Sequence, residues 1–177
     1  QKRGGRGVSG MKQRDEDFVN EMFIASTHDN VLFISDKGIM YKLKGYEIPE
    51  GSKNSRGVNY INLLPLSENE KISAMIKTEN FNDDKYIVIV TKNGKIKRTN
   101  LSDYRNVRKN GLIAISLDDA DQIAGVRLTN GNNELLIATK FGRIIRIDEN
   151  DIRTMSRQAH GVKAITLRNG DEVVSMA

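Results

Sequence analysis

Residues 86–99 read YIVIVTKNGKIKRT: an apolar run, a short turn, and a second run that mixes apolar and basic side chains. Asn93-Gly94 is a strong hairpin signal, because both positions tolerate the positive φ that a two-residue turn requires. The Val and Ile residues beside it suit a pleated, half-buried surface. The stretch therefore predicts a β-hairpin with strands at residues 86–90 and 95–99.

The same hairpin pattern occurs three times in the chain. The turn glycines are Gly38, Gly94 and Gly142, spaced 56 and 48 residues apart. A Ser or Thr precedes each glycine by three positions, an apolar residue follows it by two, and a Lys or Arg follows it by four. Two further apolar runs follow each hairpin, at residues 58–61 and 72–76, 112–115 and 123–126, and 162–165 and 173–176.

The repeat predicts the fold class. Four strands in a unit of about fifty residues are typical of propeller-like blades. We therefore predict an all-β fold of about three four-stranded blades, without a long amphipathic helix. Three blades make an arc rather than a closed ring, and an arc exposes a blade face and strand edges. We expect the chain to be a piece of a longer polypeptide, or to pack on a partner.

The charge of the chain is unevenly distributed. The 177 residues carry a net charge of +5, from 28 basic and 23 acidic side chains. Residues 1–14 contain five of the basic residues and no acidic one, so the remainder of the chain is neutral. Within that remainder, residues 85–111 hold eight Lys or Arg and a single Asp. Such concentrations favour a polyanion as partner.

The recurring Lys or Arg after each turn glycine predicts a basic rim that faces a phosphate backbone. An ordinary solvated strand face is the alternative for any single cation, and recurrence in three copies favours the rim. Contacts of this kind position a duplex without reading its sequence. Aromatic residues make up 6% of the chain and Trp is absent, which disfavours recognition by base stacking. The cations predicted to contact the backbone are Lys42, Arg56, Lys95, Lys97, Arg98, Arg105, Arg108, Lys109, Arg143, Arg146 and Arg157.

Motifs for catalysis and metal binding are absent from the sequence. There is no Cys, no phosphate-binding glycine loop and no pair of His with metal-ligand spacing. The acidic groups at residues 83–84 and 118–121 could bind a divalent cation on spacing alone, but acidic turns are usually solvated, and this is the interpretation favoured here. The longest uninterrupted apolar run, residues 86–90, is too short to cross a bilayer. We expect no catalytic residue, no metal site and no membrane association.

QKRGGRG at residues 1–7, Ala25-Ser-Thr-His-Asp29 and Asn62-Leu-Leu-Pro-Leu66 resemble the C-terminal domain of DNA gyrase A. The seven-residue motif looks like the signature box of that family. The resemblance implies a six-bladed β-pinwheel, in which strands interlock between neighbouring blades. The chain would hold the box and a basic linker at residues 1–17 and three blades at residues 18–177. The expected blades are approximately 18–80, 81–130 and 131–177.

The resemblance also implies a function. Duplex DNA would wrap around the basic rim of the pinwheel, and this wrapping enables ATP-dependent negative supercoiling by the complete enzyme. The box would contact the DNA, because its glycines let the backbone approach phosphates and its cations release counterions. Its residues are Gln1, Lys2, Arg3, Gly4, Gly5, Arg6 and Gly7.

The same resemblance implies that this part is not an enzyme by itself. The cleavage tyrosine and the ATPase site of the isomerase would lie elsewhere, so no cofactor is expected here, and ATP and Mg²⁺ would act outside these residues. The expected partners are duplex DNA, the rest of the gyrase A polypeptide and the gyrase B polypeptide in an A2B2 enzyme of the bacterial cytoplasm.

Two other functions stay open from the sequence. The C-terminal domain of topoisomerase IV is similar, but its box is degenerate or missing, so the intact motif argues against it. A propeller-type protein interaction scaffold would have an apolar or mixed binding face and no salt-dependent affinity for DNA.

Overall fold

The structure is a computed structural model that describes residues 28–47 and 63–177. These residues form three antiparallel sheets, which confirms the all-β prediction. Short 3-10 turns lie at Gly45–Glu47, Leu101–Tyr104 and Glu149–Asp151. The strands are β1 (Asn30–Ser35), β2 (Ile39–Lys44), β3 (Ile72–Thr78), β4 (Tyr86–Thr91), β5 (Lys95–Asn100), β6 (Leu112–Ile113), β7 (Ile123–Thr129), β8 (Glu134–Thr139), β9 (Ile144–Asp148), β10 (Val162–Lys163) and β11 (Val173–Met176).

The hairpin predicted at residues 86–99 is the pair β4 and β5. Val90 lies opposite Ile96 and Val88 opposite Arg98. At the turn, the Gly94 amide donates a hydrogen bond to the Thr91 carbonyl at 3.0 Å, and the φ of Gly94 is +89°. Residues other than Gly rarely adopt this backbone φ, which explains why glycine stands at the turn.

The Ser or Thr that precedes each turn glycine closes the turn. The Thr91 hydroxyl accepts a hydrogen bond from the Lys95 amide at 3.1 Å. Ser35 and Thr139 accept the equivalent amide hydrogen bonds at 3.3 and 3.2 Å. The side chain thereby satisfies a main-chain donor that the tight turn leaves without a ladder partner.

The sheets interlock, as the resemblance implies. Sheet 1 has the strand order β3-β1-β2-β6, sheet 2 the order β10-β5-β4-β7, and sheet 3 the order β11-β8-β9. The fourth strand of sheet 1 comes from the second repeat, where Leu112 pairs with Met40. The fourth strand of sheet 2 comes from the third repeat, where Val162 pairs with Ile96. Each of these repeats therefore adds a strand to the sheet of the repeat before it.

The core lies between successive sheets. Along β4, Ile87 and Ile89 pack in the cluster between sheets 1 and 2. Val88 and Val90 pack in the cluster between sheets 2 and 3. All four side chains have no solvent exposure, so both faces of sheet 2 are buried. Full burial of each such side chain stabilises the fold by roughly 1.5–3 kcal/mol.

Sheet 3 differs from sheet 2 on one face. Leu136 and Ile144 occupy the positions in the repeat that Val88 and Ile96 occupy in sheet 2. Leu136 is 46% exposed and Ile144 is 69% exposed. The repeat therefore produces the same strands in both sheets, but among the described residues a neighbouring sheet covers these positions in sheet 2 and not in sheet 3.

Candidate nucleic-acid interface

Some of the predicted contacts lie outside the described residues. They are the box residues Gln1, Lys2, Arg3, Gly4, Gly5, Arg6 and Gly7, together with Arg56. The remaining predicted cations can be placed on the three sheets and on the loops between them.

The loop at residues 105–111 carries three exposed cations, Arg105, Arg108 and Lys109. It starts after the 3-10 turn in which Leu101 and Tyr104 are completely buried. It ends at β6, which pairs with sheet 1. The start of the loop is therefore fixed by buried side chains and its end by strand pairing, and the cations between them project from the junction of sheets 1 and 2.

Lys42 lies beside this loop. Its Nζ donates a hydrogen bond to the Arg105 carbonyl at 3.4 Å and lies 5.7 Å from the centre of the Phe81 ring. Lys42 and Lys109 also line one surface concavity of about 390 Å³. Partial burial, and to a lesser extent the charge of Lys44, lower the pKa of Lys42 below its ordinary value. The structure thus brings Lys42 together with the cations of loop 105–111.

Lys97 corrects the prediction of an exposed rim contact. Its side chain has no solvent exposure. The Nζ donates hydrogen bonds to the carbonyl oxygens of Ala114 and Arg157, and to the Tyr104 hydroxyl at 3.3 Å. Burial lowers its pKa to about 7. A phosphate cannot reach this group, so Lys97 is part of the protein interior.

Arg98 corrects the same prediction. It is 6% exposed, and its guanidinium carbon lies 3.9 Å from the centre of the Tyr86 ring. Its Nη1 donates to the Ile152 carbonyl at 3.2 Å, and its Nε lies 3.5 Å from the Glu149 carboxylate. Successive side chains of a strand point to opposite faces, so burial of both Lys97 and Arg98 follows from the burial of both faces of sheet 2.

Sequence reasoning missed the buried partner of Arg98. The Glu149 side chain has no solvent exposure. It accepts hydrogen bonds from the Thr129 hydroxyl at 2.6 Å and from the Asn133 amide at 2.8 Å. A Glu after an amphipathic strand carries no local signal of burial, because the covering groups are brought by the tertiary structure.

The other predicted cations have partners at the surface. The Lys95 Nζ lies 2.6 Å from Asp118, whose carboxylate also contacts the His160 ring at 3.0 Å. The hydrogen bond from Lys95 is the main cause that lowers the pKa of Asp118. Arg143 donates to the Thr166 carbonyl at 2.8 Å, and Arg146 pairs with Glu134 at 2.6 Å.

A second basic loop lies at the junction of sheets 2 and 3. Residues 153–161 precede β10 as residues 105–111 precede β6, and they carry the exposed Arg153 and the half-buried Arg157. In β10, Lys163 is exposed and lies directly opposite Lys95. Arg153 and Lys163 were not predicted. Arg153 follows Gly142 by eleven positions, as Arg105 follows Gly94, so the repeat carried a signal for it. Lys163 had no such signal, because the sequence does not show which strand of the preceding repeat β10 pairs with.

Within residues 28–47 and 63–177, no group of three or more His, Cys, Asp or Glu side chains is placed to hold a metal ion. The same part of the chain contains no helix of the length and apolar character needed to cross a membrane.

Comparison with known proteins identifies close relatives by sequence. The DNA gyrase A protein of Clostridium acetobutylicum is 49% identical over 163 residues, which are 92% of this chain and 20% of that protein. The DNA gyrase A protein of Staphylococcus aureus (strain NCTC 8325) is 47% identical over 177 residues, which are 99% of this chain and 20% of that protein. The chain therefore spans about a fifth of the length of these relatives.

Two solved structures share the fold. A DNA gyrase A C-terminal domain matches with a TM-score of 0.70 and 27% identity, over 86% of this chain and 48% of that one. The C-terminal domain of a DNA topoisomerase IV matches with a TM-score of 0.79 and 29% identity, over 92% of this chain and 55% of that one.

The family model described as DNA gyrase C-terminal domain, beta-propeller, matches in four segments. They are residues 1–26, 29–79, 85–130 and 133–177. The last three segments each contain one of the hairpins that the sequence repeats. With nearly the whole sequence matched, the chain belongs to the family of DNA gyrase C-terminal domains.

Proposed function

We propose that this chain binds duplex DNA without sequence preference and bends it around its sheets as part of a DNA gyrase A polypeptide. The observation that carries the proposal is the pair of basic loops at residues 105–111 and 153–161. They occupy the same place in successive repeats and carry Arg or Lys at the junctions of successive sheets.

The first loop is well suited to phosphate contacts. In the described part of the chain, no carboxylate forms an ion pair with Arg105, Arg108 or Lys109. Unpaired exposed cations exchange their hydration and counterions for phosphate contacts without first breaking an internal ion pair. The buried 3-10 turn before the loop and the pairing of β6 after it support such contacts, because fixed ends reduce the entropy lost on binding.

The repetition of the loops supports wrapping rather than a single contact point. A DNA segment that touches one loop and then its equivalent follows the order of the sheets, and so it bends with them. In the complete A2B2 enzyme, this bent path would lead a neighbouring DNA segment toward the cleavage site. The box at residues 1–7 would hold the wrapped DNA, and the enzyme would thereby introduce negative supercoils.

The catalytic steps are assigned to other parts of the enzyme. We propose that DNA cleavage and ATP hydrolysis, with its ATP and Mg²⁺, take place in the rest of gyrase A and in gyrase B, in the bacterial cytoplasm. The chain itself contributes binding energy and the direction of the DNA path.

The binding proposal is tested by the salt dependence of DNA affinity of full-length gyrase A. We expect a linear fall of log K with log salt, and the double variant Arg108→Gln, Lys109→Gln should reduce the slope by about 0.9 for each phosphate contact removed. Arg127→Gln is the matched control, because Arg127 is exposed on β7, at the opposite edge of sheet 2 from β5 and β10. An affinity that does not change with salt would contradict the proposal.

The wrapping proposal is tested with the complete enzyme and plasmid DNA. Replacement of residues 1–7 by alanine should abolish negative supercoiling and preserve relaxation, because binding and cleavage remain while the wrap is lost. Equal loss of both activities would show that the segment serves folding or cleavage instead.

The C-terminal domain of topoisomerase IV is the second candidate, favoured by the TM-score of 0.79. The complete enzyme would then relax DNA in the presence of ATP but introduce no negative supercoils. The same plasmid assay on the unmodified enzyme therefore separates the two candidates.

A further inference from the structure

Two neighbouring residues of β5 hold loop 153–161 at three points. The Arg98 Nη1 donates to the Ile152 carbonyl at 3.2 Å, and the Arg98 carbonyl accepts a hydrogen bond from the Met155 amide at 2.7 Å. The Lys97 Nζ donates to the Arg157 carbonyl. The loop is therefore attached directly before its first residue, in its first half and at its middle, to two residues whose side chains leave opposite faces of β5.

Both cations are held rigidly in place. The Arg98 guanidinium stacks on Tyr86 and lies beside the buried Glu149 carboxylate. The Lys97 ammonium has three acceptors, two carbonyl oxygens and the Tyr104 hydroxyl. A polar group held by several interactions inside the protein has a defined position, so it can define the position of the loop that it binds.

The equivalent residues of the first repeat make only part of this arrangement. Lys42 donates to the Arg105 carbonyl, at the start of loop 105–111. Tyr41 donates instead to Glu70 at 2.7 Å and does not reach the loop through its hydroxyl. In both repeats, a cation on the second hairpin strand thus contacts the start of the loop that follows from the next repeat. The additional contact made by Lys97 has no equivalent at Tyr41.

We propose that Lys97 and Arg98 are positioning residues for DNA binding, which hold loop 153–161 so that Arg153 and Arg157 face the DNA backbone, and which contact no phosphate themselves. This inference rests on the proposed function, since it assigns the loop a role in DNA binding. It replaces the direct contact predicted from the charge of both residues with an indirect one.

The first test measures the loop without DNA, by hydrogen–deuterium exchange of full-length gyrase A carrying Arg98→Lys. Lys keeps a positive charge beside Glu149, but a single ammonium cannot stack on Tyr86 and also reach the Ile152 carbonyl as the guanidinium does. We expect exchange in residues 153–161 to become faster by on the order of tenfold, because a local opening loses a hydrogen bond, with β4 unchanged. Arg146→Lys, at the equivalent position of β9, should leave this loop unchanged. Unaltered protection of the loop in Arg98→Lys would overturn the proposal.

The second test is a double-mutant cycle on DNA affinity at fixed salt. Arg98→Lys is measured in the native protein and in a background with Arg153→Gln and Arg157→Gln. We expect the substitution to weaken binding by several-fold in the native protein and to have no further effect in the background, because Arg98 acts through the loop. Equal losses in both would show that Arg98 acts on DNA independently of the loop, which overturns the proposal. If the native protein bound no DNA, the proposed function would fail, while the exchange experiment would still decide whether Arg98 holds the loop.

Discussion

Strands β5 and β9 have the same place in their repeats but different surroundings. The side chain of Arg98 is 7% exposed, whereas that of Arg146 at the same position is 67% exposed. Ile96 is 1% exposed and its equivalent Ile144 is 69% exposed. Sheet 3 covers the face of sheet 2 on which Ile96 lies, and no described residue covers the corresponding face of sheet 3. The same local sequence therefore produces a core residue in one strand and a surface residue in the other.

The largest expected difference between the two strands concerns the recurring arginine. Arg98→Ala leaves the Glu149 carboxylate buried without a cation, which should lower the free energy of unfolding by about 3–5 kcal/mol. Arg146→Ala removes an exposed pair with Glu134 and should cause no measurable loss. Urea denaturation of the complete chain provides the measurement. Equal losses in the two variants would mean that burial does not distinguish the two strands.

A smaller difference is expected at the turn glycines. Gly94 and Gly142 have φ values of +89° and +88°, so replacement by Ala strains both turns by about 1–2 kcal/mol. A methyl group at Gly94 would lie 2.9 Å from the Ile165 carbonyl oxygen, while none of the described atoms lies within 4 Å of one at Gly142. We expect Gly94→Ala to cost about 1–3 kcal/mol more than Gly142→Ala in urea denaturation, because the added atom overpacks the sheet junction.

Gly38→Ala is a second test of the same contrast. A methyl group there would lie 2.7 Å from the Ile115 carbonyl oxygen, so its cost should match that of Gly94→Ala. If all three variants lost the same stability, backbone strain alone would explain the turns.

Lys97, on β5, should make the stability of the chain depend on pH. Strand β9 has no such group, since Ile145 stands at the equivalent position. The pKa of Lys97 falls from an ordinary 10.5 to about 7 because the ammonium is buried. Between these two values the unfolded chain binds more protons than the folded chain, so stability should rise with pH through this window. Lys97→Met should remove that increase in urea denaturation curves recorded from pH 7 upward.

The upper end of the measurement is set by two tyrosines. Burial raises the pKa of Tyr41 and of Tyr104 above the ordinary value of 10.0. Above that pH the unfolded chain loses phenolic protons before the folded chain does, so the two tyrosines lower the stability as the pH rises and oppose the effect of Lys97. The comparison of Lys97→Met with the native chain is therefore made below pH 10. Identical profiles for the two chains would contradict a lowered pKa of Lys97.

The smallest effect is expected at the exposed contacts of Asp118. Because the pKa of Asp118 is lowered in the folded chain, its ionised carboxylate contributes to stability above the ordinary carboxyl pKa of 3.8. This contribution is lost as the pH falls through the lowered pKa of the folded chain. Asp118→Asn should cause a slight loss of stability that disappears at high salt, because solvent and ions screen exposed charges. The loss in Arg98→Ala should persist at high salt, and salt sensitivity in the reverse order would contradict the distinction between buried and exposed pairs.

Local signals in the sequence were sufficient for the hairpin strands and their turns, whereas the apolar run predicted at residues 58–61 lies outside the described residues. The alternating and apolar runs, the Asn-Gly turn and the repeated Ser or Thr each act over a few residues, so they predicted the hairpins of all three repeats. The basic character of residues 105–109 was also predictable, because a loop with several cations after a strand has few ways to bury them. Confirmation of these cations as DNA contacts awaits the salt-dependence measurement.

Lys97, Arg98 and Lys163 could not be assigned in this way. Alternation along a strand predicts one solvated face, and it does not reveal that sheets 1 and 3 cover both faces of sheet 2. The position of Lys163 opposite Lys95 depends on a pairing between residues of different repeats. No local sequence signal encodes that pairing.

The chain of amino acids alone therefore specifies three similar β units, their turns, their register within each hairpin and an excess of positive charge. Tertiary structure decides which of those charges reach solvent. The physical reason is that strand propensity and turn geometry act between near neighbours in sequence, whereas burial depends on whichever sheet packs against a given face. Arg98 and Arg146 illustrate the point, because identical side chains at equivalent positions become an interior contact and a surface ion pair.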